Sequence, residues 1–357
     1  MSQNQEDTQF ARRVKVHVTI GGHDATDYLQ PYLLDFSFTD NAGKKADEVQ
    51  ITLHDRDGKW NSEWMPKKGM EVDAIIECMD WFKPGENVSL PCGSFRIDEL
   101  EFSGPPDKVT IKAVTSALTT GLRDTSKTRA WENTGLQTVA GQIAEENDLE
   151  LMYEDDDDDN FERQDQRDES DLAFIDRLAE ERGMYCKAHD GKLILVNEKA
   201  AEQARPVLTV SREGAGMLSA KSWNFKQSSS KTGHRKASVS YTDPAEGVTH
   251  TAEVQAADAA EKDEKTLALN QRVESSGQAI KGAASALHKS NKKENTATVE
   301  VMGHPGIVAG ITLDLTGFGD FSGRYIVKKA EHKVGGSGGY ATSLELSKCR
   351  LMPDVVV

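Results

Sequence analysis

Polar and apolar residues alternate through most of the first third of the chain. Between Val14 and Ala113 the alternating runs are separated by turn-forming pairs such as Asp57-Gly58 and Pro105-Pro106. A period of two places the apolar side chains of a strand on one face of its sheet. The pattern predicts about six or seven short strands, arranged as a barrel or sandwich with a core on one side of the sheet. The apolar positions are Val14, Val16, Val18, Ile20, Leu34, Phe36, Phe38, Val49, Ile51, Leu53, Val72, Ala74, Ile76, Phe95, Ile97, Val109, Ile111 and Ala113.

The same alternation returns after Arg205-Pro206 and predicts a second β-rich unit. A polar stretch at 249–265 and a helix near 278–289 interrupt it, the helix having a small-residue face suited to close packing. The glycine-rich segment 335–339 is followed by no helix-start pattern, so we interpret it as a flexible hairpin tip and not as a phosphate cradle. The apolar positions are Trp223, Phe225, Ala237, Val239, Tyr241, Ala297, Val299, Val301, Ile311, Leu313, Leu315, Tyr325, Val327, Leu344 and Leu346.

Between the two β-rich units the pattern changes to a mixture of helix and strand. Ser170 is a candidate N-cap for a helix that stops at Gly183, and Asp190-Gly191 is a strong signal for a two-residue hairpin turn. Thr134 followed by Gln137 fits a capping box and predicts a second helix over 134–147. Two helices and a hairpin bury little apolar surface alone, so we expect this small module to pack against a barrel. The predicted buried helix positions are Leu136, Val139, Ala140, Ile143, Ala144, Leu172, Ile175, Leu178 and Ala179.

Length and charge limit the classes of function. At 357 residues the chain is too long for most single cores, so two or three domains are expected. The net charge of -16 repels phosphate backbones and anionic lipid head groups. No apolar run is long enough to span a bilayer, and the polar start is unlike a signal peptide. We therefore expect no specific nucleic-acid binding, no membrane insertion, and folding in a cytoplasm.

The sequence gives little support for a metal or cofactor site. The four cysteines at 78, 92, 186 and 349 form no CxxC pair, and we interpret Cys78 and Cys186 as buried free thiols, with a Cys78 to Cys92 bridge left open. The acidic run 154–159 invites a calcium interpretation, but an EF-hand register begun at Asp155 puts Asn160 where glycine is needed. A solvated acidic loop is favoured. We predict no metal, no cofactor and no catalytic residues.

The sequence can be compared with two classes of function, a cell-wall hydrolase and a carbohydrate-binding module. A hydrolase needs paired titratable groups in a cleft, but the carboxylates and histidines are dispersed, and no GxSxG, HExxH or Walker motif occurs. His17 and His54 alternate with apolar strand residues, and His234, His250, His288 and His304 lie in polar sequence surroundings. The five tryptophans, Trp60, Trp64, Trp81, Trp131 and Trp223, could stack on sugar rings, but Trp60 and Trp64 flank a turn and are as well explained as the cap of a barrel end. A structural role without catalysis is favoured.

Three blocks of sequence resemble the late control gene D family of phage tail proteins. The first runs from Lys127 to Glu132 and leads into the predicted helix over 134–147. The second is the helix and hairpin from Ser170 to Leu193. The third contains Gly303-His304-Pro305-Gly306, Gly310, Gly317-Phe318-Gly319, the segment 323–327 and the segment 339–342. Because the blocks occur in the order of the family, the resemblance covers roughly residues 13–350.

The resemblance implies a mainly β fold with an inserted α+β domain. Residues 13–123 and 205–350 would be two tail-tube-like β-barrel domains, and 124–204 a small helix-hairpin domain. Residues 1–12 would be a flexible N-terminal segment and 351–357 a C-terminal tail. The acidic run and the stretch 249–265 depart from the family pattern.

The resemblance also implies a function, that of a tail baseplate hub similar to the spike-base proteins of contractile tails and type VI secretion. Such a hub is a homotrimer forming a pseudo-hexameric ring that joins the hexameric tail tube to a trimeric spike and lets DNA pass. Its implied partners are the tube protein, the spike protein, the surrounding wedge proteins of the baseplate and the tape measure protein. The implied location is the virion tail baseplate, after assembly in the host cytoplasm.

Overall fold

A computed structural model describes residues 11–43, 45–115, 121–155, 160–214, 218–228, 234–242, 249–256, 265–269, 276–335, 339–349 and 354–356. Strands account for 53% of the structure and helices for 18%, and the large sheets are antiparallel. The predicted mainly β class is therefore confirmed. No helix among the described residues is long and apolar enough to cross a membrane.

The first part of the chain forms an antiparallel sheet whose strands do not all pair in chain order. Its elements are β1 (Arg13–Ile20), β2 (His23–Asp24), α1 (Thr26–Leu29), β3 (Leu33–Asn41), β4 (Glu48–His54), β5 (Glu71–Met79), β6 (Val88–Ser103) and β7 (Lys108–Thr115). Along β4, β5 and β7 every second residue is buried, as the alternation predicts. The long strand β6 changes partners along its length, because its first part pairs with β5 and its second part with β7. A bulge between Ile97 and Glu99 marks the change.

The middle of the chain contains the helices and the hairpin. Its elements are β8 (Ser126–Thr134), α2 (Leu136–Glu146), β9 (Glu150–Glu154), β10 (Phe161–Ser170), α3 (Asp171–Glu181), β11 (Met184–His189), β12 (Lys192–Asn197) and α4 (Glu198–Gln203). Ser170 Oγ accepts a hydrogen bond of 3.3 Å from the Ala173 N–H, as an N-cap does. Asp190 and Gly191 connect β11 to β12 with φ of 46° and 70°, the pair of positive values that a type I′ hairpin turn requires.

The start of α2 differs from the prediction. Its N-cap is Gly135, which makes no side-chain capping bond, and Thr134 is the last residue of β8. The capping box predicted from Thr134 and Gln137 is therefore wrong. Thr134 is held instead by its pairing with Phe161 on β10, a tertiary contact that local sequence does not reveal.

The last part of the chain contributes to two different sheets. Its elements are β13 (Leu208–Ser211), β14 (Ser222–Gln227), β15 (Lys236–Thr242), β16 (Thr249–Gln255), β17 (Thr266–Leu269), α5 (Ser276–Lys292), β18 (Asn295–Met302), β19 (Thr312–Thr316), a 3-10 turn at Gly319–Phe321, β20 (Gly323–Gly335), β21 (Gly339–Lys348) and β22 (Asp354–Val356). Strands β15, β16, β17 and β22 form a separate four-stranded sheet against which α5 packs.

Two sequence interpretations change as a result. Ala237 and Val239 belong to the core under α5 and not to the main sheet of the second β-rich unit. The polar stretch at 249–265 begins as strand β16, whose Val254 is buried. Its one buried apolar position among polar residues gave too weak an alternation to be recognised. Residues 257–264 of that stretch, 156–159 of the acidic run and 336–338 of the glycine-rich tip lie outside the described residues.

The main sheet joins the two β-rich parts of the chain. It has thirteen strands, and its central path runs from β14 through β18, β21, β20, β3, β4, β7 and β6. The joint is the antiparallel pair β20 and β3, in which Lys329 lies opposite Asn41 and Gly335 opposite Asp35. The β20–β21 hairpin also supplies Val334 and Tyr340 to the hydrophobic core of the first part. The two β-rich parts therefore share one sheet and part of one core.

Candidate functional site

The face of the joined sheet that points away from the hydrophobic cores is polar on each strand from β6 to β18. Along β3 it presents Asp35, Ser37 and Thr39, whereas Phe36 and Phe38 point into the core. The register carries the same face across the neighbouring strands, and its other members are Glu48, Gln50, Thr52, Lys112, Glu99, Glu101, Lys329, Glu331, Lys333, Ser343, Glu345, Thr298 and Glu300. Strands β3, β4, β20 and β21 form a shallow depression of about 600 Å³ on this face.

Charges of both signs occur on this polar face, and carboxylates outnumber lysines. Lys112 Nζ lies 3.0 Å from Glu99 Oε2, and Lys333 Nζ lies 3.0 Å from Glu331 Oε1. Burial raises the pKa of the Asp35 carboxyl, and the nearby Lys333 ammonium opposes that rise. The described part of this face is therefore hydrophilic and carries more negative than positive charge.

Each end of this polar face is an unpaired strand edge. At one end, residues 98–103 of β6 pair with β7 on one side and with no described strand on the other. At the opposite end, residues 222–227 of β14 pair with β18 and with no other strand among the described residues. Each edge carries a large exposed aromatic side chain, Phe102 at 50% and Trp223 at 43% exposure. Exposed, unpaired edges of this kind are templates for pairing with another strand.

A buried charged cluster clamps the middle module onto the first β-rich part. Lys187 of β11 contacts Asp40 of β3, and its Nζ lies 3.1 Å from Asp47 Oδ2. His189 Nδ1 lies 2.7 Å from the same Asp47 oxygen. Asp40 Oδ2 accepts a 2.8 Å hydrogen bond from the Ala309 N–H, which brings a loop of the last part of the chain into the cluster. Burial raises the pKa of Asp40 although Lys187 opposes the rise.

The loop 303–310, which contains the Gly-His-Pro-Gly motif, lies at the junction of the two β-rich parts. Trp81 Nε1 donates a 2.9 Å hydrogen bond to the Gly303 carbonyl. A Cβ atom at Gly303 would lie 2.1 Å from the Tyr340 ring, so only glycine allows this approach. His304 is buried against Phe82, with 5.0 Å between the ring centroids. The polar sequence around His304 does not indicate this burial.

His332 is a buried residue that the sequence analysis missed. It is 0% exposed, and its Nε2 donates to the Ile307 carbonyl at 2.9 Å while its Nδ1 accepts from the Tyr340 hydroxyl at 2.8 Å. Burial lowers the pKa of His332 to about 4, so the ring is neutral. The sequence does contain a signal for this burial, because Ala330, His332 and Val334 are alternate residues of β20. All three face the hydrophobic core.

A second buried charged cluster lies between α4, α5 and β20. Glu198, Glu202 and His288 place one ligand atom each within 4.8 Å of one another, an arrangement that could hold a metal ion. Lys292 of α5 already contacts both carboxylates, Glu202 directly and Glu198 at 3.1 Å. Burial alone would raise the pKa of Glu202. The hydrogen bond from His288 and the charge of Lys292 outweigh burial and lower the pKa of Glu202 to about 2. Lys292 thus provides the positive charge that these two carboxylates require, and His288 is buried within this charged cluster.

The middle module has its own buried ion network, around Asp171 at the start of α3. Arg129 Nη2 lies 2.8 Å and Lys127 Nζ 2.6 Å from the Asp171 carboxylate, and Gln166 donates to it at 2.9 Å. Burial alone would raise the pKa of Asp171. These contacts outweigh burial and lower the pKa below its usual value. The sequence indicates the helix start at Ser170 but not the partners of Asp171 on β8 and β10.

The tryptophans, the remaining histidines and the cysteines named in the sequence analysis do not come together in one site among the described residues. Trp60, Trp81 and Trp131 are buried, which is contrary to a sugar-stacking role, and Trp60 and Trp64 pack around Tyr32. His17 pairs with Glu77, and His54 packs against Tyr32. The four cysteines are free thiols, with Cys78, Cys92 and Cys186 buried and Cys349 partly exposed. Burial raises the pKa of the Cys78 thiol to about 12.

The sequence profile of the phage tail baseplate hub (GPD) family matches residues 105–338 of this chain. The chain belongs to that family. It is similar to the probable baseplate hub proteins of Escherichia phage 186, with 30% identity over 204 residues, and Escherichia phage P2, with 31% identity over 199 residues. These matches cover 55% and 54% of this chain and 49% of each relative, so the chain spans about half the length of the curated relatives it matches.

Solved structures of low sequence identity share the fold. A tail protein from Neisseria meningitidis has a TM-score of 0.71 at 12% identity, over 94% of this chain and 97% of its own. A 43 kDa prophage tail protein from Shewanella oneidensis has a TM-score of 0.71 at 14% identity, over 94% and 98%. A type VI secretion component of Escherichia coli has a TM-score of 0.54 at 10% identity, over 97% and 80%. The overall architecture is therefore that of tail proteins.

Proposed function

We propose that this chain is the structural hub of a tail baseplate, in which three copies close into a ring that joins the tail tube to the spike. The observation that carries the proposal is the joined sheet, which has a polar face on one side and hydrophobic cores on the other, with edges at β14 and along residues 98–103 of β6 that pair with no further described strand. A sheet of this form is incomplete as a single copy. Closing it into a ring pairs both edges and leaves the polar face around a central hole.

The polar face suits the wall of a channel through which DNA passes. Its serine, threonine and glutamine side chains hydrogen-bond to water, and its lysines are balanced by neighbouring carboxylates such as Glu99 and Glu331. A strongly basic wall would hold the phosphate backbone by releasing counterions. A wall on which carboxylates outnumber lysines, within a chain of net charge -16, would repel the phosphate backbone and let it slide.

The proposed role is mechanical and not catalytic. His288 and His332 are 5% and 0% exposed, and their ring nitrogens are engaged by Glu202 and by Tyr340 and Ile307. A substrate cannot reach a base held in this way. The burial of Trp60, Trp81 and Trp131 likewise counts against a carbohydrate-binding module, because stacking on sugar needs an exposed ring face.

The proposed partners follow from the ring. Its two rims would contact the tube protein on one side and the spike protein on the other, and the middle module, which lies outside the sheet, would face the wedge proteins of the baseplate. The tape measure protein is a further proposed partner along the axis. The proposed location is the virion tail, with folding and assembly in the host cytoplasm.

Deletion of this chain from its particle tests the proposal. We expect particles without it to contain tubes that lack a spike, visible by negative-stain electron microscopy, with restoration of the spike when the full chain is supplied from a plasmid. Tails that carry a spike and eject DNA normally without the chain would contradict the hub function. Release of soluble glycan from purified cell wall by the chain would support the hydrolase alternative.

A further inference from the structure

The buried cluster of Lys187, Asp40, Asp47 and His189, here called the clamp cluster, brings an amine and two carboxyl groups to one point. Lys187 Nζ contacts Asp40 Oδ1, and Asp40 Oδ2 accepts the 2.8 Å hydrogen bond from the Ala309 N–H. Asp47 Oδ2 lies 3.1 Å from the same Lys187 Nζ. The side chains of Asp40 and Asp47 are almost fully buried. An amine held against a buried carboxyl group, with a second carboxylate beside it, is the arrangement from which an amide can form.

We propose that an amide bond forms between Lys187 Nζ and Asp40 Cγ and joins β11 of the middle module covalently to β3 of the main sheet. The reaction converts one ammonium and one carboxylate into an amide and one water molecule, so atoms and charge balance without any other reactant. Nζ forms a bond to Cγ, the bond from Cγ to Oδ1 breaks, and Oδ1 leaves in the water. Oδ2 becomes the carbonyl oxygen of the amide. The inference concerns the clamp cluster alone and does not depend on the hub function.

Asp47 is placed to carry a proton in this reaction. Its Oδ1 accepts a 2.7 Å hydrogen bond from the Asn41 N–H, and its Oδ2 is shared by Lys187 Nζ and His189 Nδ1, the latter at 2.7 Å. Two protons must leave Nζ for Oδ1 of Asp40. The first passes directly, because Nζ contacts Oδ1. Asp47 accepts the second as the new bond forms and returns it to the leaving oxygen, as a general base and acid does. His189 holds Asp47 in position.

The surroundings of Asp40 favour the attack. Burial raises the pKa of Asp40, which favours the neutral carboxyl group that an amine attacks. The Ala309 N–H donates to Oδ2, where negative charge develops in the tetrahedral intermediate. Groups held together in this way react with effective molarities of about 10⁵–10⁸ M. Because the cluster is almost fully buried, water has little access to hydrolyse the product.

The second buried cluster contains the same kinds of group but lacks these features. Lys292 contacts Glu202 directly and lies 3.1 Å from Glu198, which matches the spacing in the clamp cluster. Burial alone would raise the pKa of Glu202, but the hydrogen bond from His288 and the charge of Lys292 lower it to about 2 and keep the carboxylate ionised. Glu202 Oε2 has no hydrogen-bond partner among the described residues, so no donor stabilises charge there. We therefore expect no amide at Lys292.

Mass spectrometry of the purified full chain tests the inference. We expect the parent to be lighter than its sequence mass by one water molecule, about 18 Da. Trypsin should leave Lys187 uncut and release one branched peptide that contains residues 16–44 and 183–192. This peptide identifies the two residues that are joined, because no linear peptide contains both segments.

Three variants separate the amide from the ion pair. Lys187→Arg keeps a cation but removes the amine, and Asp47→Asn keeps the shape of the side chain but removes the proton acceptor, so both should have their full sequence mass. Glu198→Gln is the matched control, because Glu198 lies as far from its lysine as Asp47 does from Lys187. It should keep the loss of one water. All three should keep the far-ultraviolet circular dichroism spectrum of the parent.

Several results would overturn the amide. One is a parent that has its full sequence mass after prolonged incubation in the folded state. Another is a loss of water confined to a linear peptide with Asp57-Gly58 or Asp190-Gly191, which indicates a succinimide. A loss of water that persists in Lys187→Arg also overturns it. None of these results affects the hub function, which is decided by the spikes on particles lacking the chain. The ion pair is the reactant state of this step, so Lys187→Met removes the attachment in either state.

Discussion

Removal of the Lys187 ammonium should be among the most destabilising single changes in the molecule. Lys187, Asp40 and Asp47 have side chains that are 12%, 5% and 1% exposed, so both buried carboxylates rely on this ammonium, with His189 as a further partner of Asp47. The substitution Lys187→Met keeps most of the volume and removes the charge. Leaving buried carboxylates without their partner costs about 3–5 kcal/mol, a large part of the stability of a typical domain.

The loss of stability in Lys187→Met should depend on pH in a defined direction. Burial already raises the pKa of Asp40, and without Lys187 it rises further. A carboxyl whose folded pKa lies above its unfolded value gains stability as the pH falls through the folded pKa, because protonation removes the buried charge. The deficit of Lys187→Met should therefore be largest at neutral pH and smaller near pH 5.

Urea unfolding followed by tryptophan fluorescence measures this loss, because Trp131 is buried in the module that Lys187 attaches. Lys192→Met is the matched control: Lys192 lies on the neighbouring strand and pairs with Glu150 at 3.7 Å in an exposed position, where such pairs contribute less than about 1 kcal/mol. Equal, small losses for both variants, or a deficit that grows as the pH falls, would refute the view that this cluster clamps the module to the sheet.

Three further predictions test the packing described above. Leu178→Asp should unfold the middle module with a loss of more than about 3 kcal/mol, since Leu178 is fully buried, and a variant that retains the parent near-ultraviolet circular dichroism would contradict its place in the core. His332, with its pKa lowered to about 4 against 6.5 when unfolded, should contribute about 3 kcal/mol above pH 6.5 that is lost as the pH falls toward 4, and His332→Gln should show a flatter dependence in thermal melts. Asp171→Ala should lower the melting temperature more than Asp165→Ala does, because Asp171 is fully buried and Asp165 is a partly exposed partner of Arg163.

Local features of the fold could be predicted from the sequence because short-range physics determines them. The alternation from Val14 to Ala113 corresponds to observed strands, and Ser170 and Asp190-Gly191 occupy the cap and turn that their side chains and backbone favour. The pairing of β20 with β3 could not be predicted in this way. Its residues lie roughly three hundred positions apart in the chain, and no local propensity encodes such a contact.

The charged clusters illustrate a second limit on what can be predicted from the sequence. Asp40 follows Phe36 and Phe38 at a core-facing position, so its burial could be read from the alternation, but its partner Lys187 comes from a different module. His288 and Lys292 form one face of α5 with charged neighbours that a hydrophobic pattern counts as solvent-exposed. Burial of paired charges is set by tertiary contact, so sequence patterns tend to assign these residues to the surface.

A cryo-electron microscopy reconstruction of the tail tip tests the central claim most directly. We predict three copies of this chain in a closed ring between tube and spike, with Ser37, Gln50 and Glu331 of the polar sheet face lining the hole. A tip in which the chain is present as separate single copies, or in which this face points outward and the hydrophobic cores surround the axis, would contradict the account.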